Sequence, residues 1–208
     1  MNFPLLRRLA AATFLLLASA ATCAELPGRP PMTRLSPTLD VYPQNFAVTQ
    51  DTAGVIFVGN SDGVLTYDGV RWELIALPNQ DIVRSLSYDP VTKRVYVGGF
   101  GLFGYLEPAR DGRYRFTDLT PQFAASLEGR ALADIWSIYV TPDAVFFAAV
   151  KDLFRYSPES GKTGHWFHEG RFGAGLWKDG SFLIQWRGEG IKRLRGDRFE
   201  LIAGTETL

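Results

Sequence analysis

Residues 54–69 read GVIFVGNSDGVLTYDG. Two short apolar runs, VIFVG and VLTYDG, flank Asn60, Ser61 and Asp62, and the second run ends on Asp68 and Gly69. Val, Ile, Phe and Tyr suit a pleated, half-buried surface. Asn, Asp and Gly accept the positive φ that tight turns need. The stretch therefore reads as a β-hairpin, and its recurrence along the chain decides the fold.

VIFVG at 55–59 has a counterpart in RVYVG at 94–98, with weaker copies in AVFFA at 144–148 and SFLIQ at 181–185. Each is followed by a second run: VLTYDG at 64–69, LFGYLE at 102–107, LFRYSP at 153–158 and IKRLRG at 191–196. A third run with an aromatic residue comes next, WELI at 72–75, YRFT at 114–117, WFH at 166–168 and RFELI at 198–202. Each first run is preceded by a further apolar stretch, NFAVTQD, IVRSLSYD, IWSIYVTPD or GAGLWKDG. This makes four units of four strands. Units of about 40 residues with four short antiparallel strands read as β-propeller blades, because one blade has two apolar faces and buries them only against neighbours. The class is all-β, with blades expected at about 44–78, 81–120, 134–169 and 171–204, and with Val55, Phe57, Leu86, Val95, Val97, Ile138, Val145, Phe147 and Leu183 expected to be buried between them. An insertion, LTPQFAASLEGRALAD at 119–134, holds the one expected short helix, FAASLEGRALA. GTETL at 204–208 falls where another inner strand would begin, so the four blades are expected to form an open arc, part of a larger propeller.

Residues 1–24 fit a secretory signal: MNFPLLRR is the basic start, LAAATFLLLASAA the apolar stretch, and small residues precede Glu25. Cys23, the lone cysteine, would leave with it, which suits a bacterial periplasm. Residues 25–43 carry five prolines and read as an extended lead-in with a strand around 38–42. Residues 44–208 hold the blades. Twenty-two basic residues balance 22 acidic ones with no long run of either sign, which argues against nucleic acid and anionic membrane as partners.

Most polar residues have plain roles. Asp51, Asp89, Asp143 and Asp179 fall in turns between first and second strands, and Asp68, Asp111 and Asp197 in turns between third and fourth. No loop has the dense carboxylate spacing of a calcium site. His165 and His168 are three apart in an expected strand, on opposite faces, so they do not share a metal. There is no G-x-S-x-G or H-E-x-x-H, and GGFGLFG at 98–104 opens no helix that would cradle phosphate. No catalytic residue, metal or cofactor is expected.

The blade geometry places second-to-third-strand loops and the links between blades on one face of the disc. That face gathers Asn60, Ser61, Asn79, Gln80, Asp81, Phe100, Asp134, Lys151, Trp186 and Arg187, with Arg84 and Trp136 starting just beneath it. Aromatic faces with amide, carboxylate and guanidinium groups make a ligand pocket. The expected ligand-binding residues are Asn60, Arg84, Phe100, Trp136, Lys151, Trp186 and Arg187, and a saccharide suits the mixture, as would a peptide. Equally, Trp136 and Trp186 could fill gaps between blades.

The unit NFAVTQDTAGVIFVGNSDGVLTYDGVRWELI, with DIVRSLSYD, RVYVGGFGLFGYLE and DIWSIYV after it, resembles the repeat of two-component regulator propellers. The resemblance covers roughly residues 40–204, with departures at AVFFAAVKD and at Gln185–Trp186–Arg187. It implies a periplasmic sensor domain of a bacterial signalling protein. Such proteins continue into a triple-tyrosine domain, a membrane span and a kinase, diguanylate cyclase or DNA-binding output, none of which is in this sequence. The expected function is non-enzymatic ligand sensing by an N-terminal fragment. The alternatives are a propeller enzyme, quinoprotein-like or lyase-like, or an envelope scaffold. The segment PESGKTGHW at 158–166 is similar to the T-G-K-x-x-W pattern of quinoprotein propellers, but it occurs once, and a turn followed by a strand aromatic accounts for it equally.

Overall fold

The structure is a computed structural model that describes residues 32–78 and 82–208. The expected signal segment at 1–24 lies outside the described residues. The chain divides into Met1–Ser36, of which the described residues hold no regular structure, and Pro37–Leu208, which carries all the strands described.

Four antiparallel sheets of four strands follow one another in chain order. Blade 1 comprises β1 (Asn45–Gln50), β2 (Ile56–Asn60), β3 (Gly63–Tyr67) and β4 (Trp72–Ile75). Blade 2 comprises β5 (Val83–Asp89), β6 (Arg94–Gly99), β7 (Phe103–Pro108) and β8 (Tyr114–Asp118). In blade 3 are β9 (Ser137–Val140), β10 (Val145–Ala148), β11 (Asp152–Tyr156) and β12 (Thr163–Phe167). Blade 4 holds β13 (Phe172–Lys178), β14 (Ser181–Trp186), β15 (Gly190–Arg195) and β16 (Arg198–Leu201). The first strands β1, β5, β9 and β13 approach one another in sequence and form the inner row. The four-bladed propeller architecture expected from the repeat is what the chain adopts.

Asp51 shows why the turns form where they do. Its Oδ1 accepts the N–H groups of Ala53 and Val55, both at 2.9 Å. Asp68 likewise accepts from Val70 and Arg71 at 2.8 and 2.7 Å. A carboxylate that satisfies otherwise orphaned turn amides sets the hairpin without using a ligand.

Each seam between blades is an apolar cluster. Phe57 and Val64 meet Val83, Val95, Val97 and Leu106 between blades 1 and 2. Tyr96 and Phe103 meet Phe147 and Phe154 between blades 2 and 3, where Phe123 from the insertion joins them. Between blades 3 and 4, Phe146 stacks on Phe182 with centroids 3.9 Å apart. The glycine that ends the first-run motif serves these seams. A Cβ on Gly59 would stand 2.8 Å from Val83, and one on Gly98 would stand 2.5 Å from Ile135. The next blade's inner strand thus packs directly on glycine backbone, which is why VIFVG and RVYVG end as they do.

Three expectations need correction. Residues 38–42 form no strand. The lead-in is held by side chains instead: Tyr42 N donates to Asp62 Oδ2 at 2.6 Å, and Asn60 Nδ2 donates to the carbonyl of Tyr42 at 2.7 Å. Pro43, with no N–H to give to a ladder, follows at once. The insertion forms a 3-10 helix at Thr120–Leu127, shorter than expected and earlier in the chain, with Pro121 in its first turn. In β14, Leu183 was expected in the seam, but Phe182 and Ile184 are buried there. Leu183 pairs with Leu176 and Arg193 and lies on the face turned away from blade 3. On that face Leu176 is exposed, as Val48 is on the far face of blade 1. Among the described residues no buried cluster joins blade 4 to blade 1.

Candidate functional site

The inner strands begin irregularly. In blade 1, Asn45 pairs with Asn60 and Ala47 with Gly59, so Phe46 is an extra residue with no partner. In blade 2, Val83 pairs with Gly99 and Ser85 with Gly98, which leaves Arg84 as the extra residue. Blade 4 has the same irregularity between Phe172 and Gly175. Such bulges re-aim a side chain that regular pleating would bury in a seam. In blade 3 the corresponding position is Trp136, whose N–H donates to Ala148 O at 2.9 Å.

These side chains meet at the mouth of the inner row. The Arg84 guanidinium lies 4.3 Å from the Phe46 ring centroid and 5.1 Å from that of Trp136. Its Nε donates to Asp134 Oδ1 at 3.0 Å. Arg84 is therefore fixed between two aromatic faces and a carboxylate, a charge-assisted arrangement that holds its donors in place. Trp136 remains 51% exposed, so its ring keeps free surface. At the equivalent place blade 4 offers only Gly173 and Ala174. The space they leave is a cleft of about 250 Å³, bounded by Trp136, Tyr139, Phe172, Arg171 and Arg187.

The expected site residues divide accordingly. Arg84 joins Trp136 at the mouth, and Trp136 joins Arg187 in the cleft. Asn60 is not with them: it is buried, and its Nδ2 donates to Tyr42 O, Gln44 O and Asn45 Oδ1 while its Oδ1 accepts from Asp62 N. Its side chain is a latch for the lead-in. Trp186 is half-buried within blade 4's aromatic cluster, 5.0 Å from His168 and 5.6 Å from Phe199, with Lys192 Nζ 3.7 Å above its ring. Lys151 is exposed and 3.9 Å from Glu169. Phe100 is exposed on the β6–β7 loop, with its N–H donated to Ile82 O. Asn79, Gln80 and Asp81 lie outside the described residues. Phe46 and Arg171 were not anticipated. The extra residue in β1 and β5 was the signal for Phe46, but a bulge shows only once the partner strand is in register.

A second cleft of about 300 Å³ opens between blades 3 and 4 on the opposite, turn-bearing face, beside Trp177 and the stacked Phe146 and Phe182. Its cations are already committed. Arg155 NH2 donates to Asp197 Oδ1 at 2.6 Å, Lys162 Nζ lies 3.2 Å from Asp197 Oδ2, and Trp166 Nε1 donates to Asp197 O. Arg155, and then Lys162, hold the Asp197 carboxyl below its usual range. This cleft is a tied seam. A third polar group is internal to blade 3: Asp152 Oδ1 receives Arg130 at 2.9 Å and faces His165 Nε2 at 2.8 Å. It is almost fully buried under the insertion and ties that segment to β11 and β12. Among the described residues no cluster of three potential metal ligands occurs.

No family model and no curated protein matches the sequence. Solved structures do resemble it in fold. The extracellular domain of BT4673 from B. thetaiotaomicron, named as a one component system in one crystal structure and a hybrid two component system in another, superposes with a TM-score of 0.59 at 16% identity, over 82% of this chain and 23% of that one. The extracellular domain of BT3049 from the same organism, named as a hybrid two component system, gives 0.58 at 13% identity, over 84% of this chain and 27% of that one. The computationally designed protein Ika4 gives 0.56 at 17% identity, over 78% of this chain and 98% of the design. The chain thus spans about a quarter of the length of the two extracellular domains. The fold is a β-propeller, and its structural neighbours include extracellular domains named for two component systems, the class of protein whose repeat the sequence resembles.

Proposed function

We propose that this chain is an exported, non-enzymatic sensing module of a bacterial signal-transduction protein, and that it binds a small ligand at the mouth of the inner row. The observation that carries the reading is the Arg84 guanidinium held between Phe46 and Trp136 while half the Trp136 surface stays open. An exposed ring beside fixed donors and acceptors is the make-up of a site for a saccharide, whose apolar ring face packs on the indole while its hydroxyls meet the polar groups. Export is supported by the leader-like residues 1–24. Signalling is supported by the repeat and by the kind of protein its structural neighbours are named for.

The test is calorimetric titration of the full chain with cellobiose, maltotriose and digalacturonate, in wild type and in Trp136→Ala. Binding of at least one saccharide, weakened by the substitution in a variant of unchanged melting temperature, is the expected result. Binding untouched by Trp136→Ala would move the site elsewhere. A role as a protein-binding scaffold is favoured by one feature, the uncovered apolar positions Val48 and Leu176 on the outer blade faces.

A further inference from the structure

Resting on that reading of the mouth, we infer that the cleft between blades 3 and 4 takes the carboxylate of an acidic saccharide, with Arg171 and Arg187 as its anchors. The cleft lining contains two arginines and no aspartate or glutamate. Arg187 N donates to Arg171 O at 3.1 Å, so the two residues are fixed side by side at the open end of the β13–β14 hairpin, Arg171 just before β13 and Arg187 just after β14. Among the described residues neither guanidinium has a carboxylate within ion-pair distance. The nearby acids are taken: Asp134 by Arg84, Glu189 by Lys192, while Glu169 faces Lys151. The turn-face cleft differs on this point, since its Arg155 and Lys162 share Asp197.

Two adjacent cations without a counter-charge repel each other, and an anion placed between them relieves that repulsion. Guanidinium forks match the two oxygens of a carboxylate, and they also match a phosphate or sulfate. The free Trp136 face forms one wall of the same cleft. A sugar ring stacked there would carry its anionic substituent toward Arg171 and Arg187. The cleft has room for about one ring, and Tyr139 and Phe172 close its apolar side.

The experiment compares digalacturonate, its methyl ester, and glucose 6-phosphate by calorimetry on the full chain at low salt. The proteins are wild type, Trp136→Ala, and the double variant Arg171→Gln/Arg187→Gln, each checked by circular dichroism and melting. The acid should bind wild type about tenfold more tightly than its ester, and the double variant should lose that preference. Trp136→Ala should weaken acid and ester alike. An ester that binds as well as the acid, or a preference that survives in the double variant, overturns the inference. The reading of the mouth as a site would still stand if Trp136→Ala weakened both. Tighter binding of the phosphate would overturn the assignment to a carboxylate, and no binding of any probe counts against the site itself.

Discussion

The Arg84 guanidinium lies 4.3 Å from the Phe46 ring, and each residue is the extra one in a bulge at the start of its blade's inner strand. Without the bulges, regular pleating would turn each side chain onto a blade face, opposite to its neighbour Ala47 or Val83, and away from the mouth. Two adjacent blades have used the same irregularity to bring a cation and a ring to one point. Asp134 completes the arrangement from the third blade's lead-in.

Asp134→Ala should therefore cost more than a surface substitution. It leaves the half-buried Arg84 cation without its carboxylate, an expected loss of about 1–3 kcal/mol. Urea unfolding measures it. Adding Arg84→Met removes the stranded charge and should restore part of that loss, so the double-mutant cycle should show coupling between the two sites. Additive losses would mean that the 3.0 Å contact contributes nothing.

The seam glycines give a second prediction. Gly98→Ala puts a methyl group 2.4 Å from Ser85 Oγ and 2.5 Å from Ile135. Ser85 Oγ donates to Ile135 O at 2.8 Å, so neither neighbour can move without loss. Overpacking of this kind costs about 1–3 kcal/mol. Gly112→Ala, with nothing within 4 Å but a φ of +77°, should cost less, through the strained backbone alone. Comparing their melting temperatures checks the order.

The inner strands of the four blades and the turns were legible in the sequence because each rests on local chemistry: apolar and aromatic runs, with aspartates at the turns that follow them. The seam register was legible at Phe57, Val95, Val97, Val145 and Phe147, all buried. It was not legible at SFLIQW, where Phe182, Leu183 and Ile184 are all apolar and alternation favours neither face. Of the site, Arg84, Trp136 and Arg187 could be found because loop and strand order assigns them to one face of the disc. Asn60 shares that face but is consumed by main-chain carbonyls of the lead-in, a long-range pairing that no local pattern reveals. Phe46 was hidden because the bulge that exposes it depends on pairing with β2.

The register in blade 4 yields a third prediction. Phe57→Ala empties a fully buried seam position and should cost about 3–5 kcal/mol. Phe182→Ala should behave similarly, because Phe182 stacks on Phe146 across the seam. Leu183→Ala, on the open face, should cost clearly less than either. Denaturant midpoints for the three variants decide it, and a Leu183→Ala loss as large as that of Phe182→Ala would mean the outer face is covered.

Alkaline pH should loosen the seam between blades 2 and 3. Tyr96 is fully buried there, and burial pushes its hydroxyl up to about 12 from an ordinary value near 10. Burial also raises Tyr114, at the seam of blades 1 and 2, with the hydrogen-bonded Asp51 carboxylate adding to the shift. Tyr156 is raised in the same direction, again chiefly by burial. A phenol whose folded value is raised keeps its proton longer in the native chain than in the unfolded one. The native state then binds more protons, and stability falls as pH rises. For Tyr96 the contribution is fully present below pH 10 and is lost between about pH 10 and 12, roughly 2–3 kcal/mol over the window. Tyr96→Phe removes the titrating hydroxyl and keeps the ring against Tyr105 and Phe147. Urea midpoints measured from pH 8 to 11.5 should fall in wild type and fall less steeply in Tyr96→Phe. Parallel curves for the two proteins would show that Tyr96 does not titrate inside the native seam.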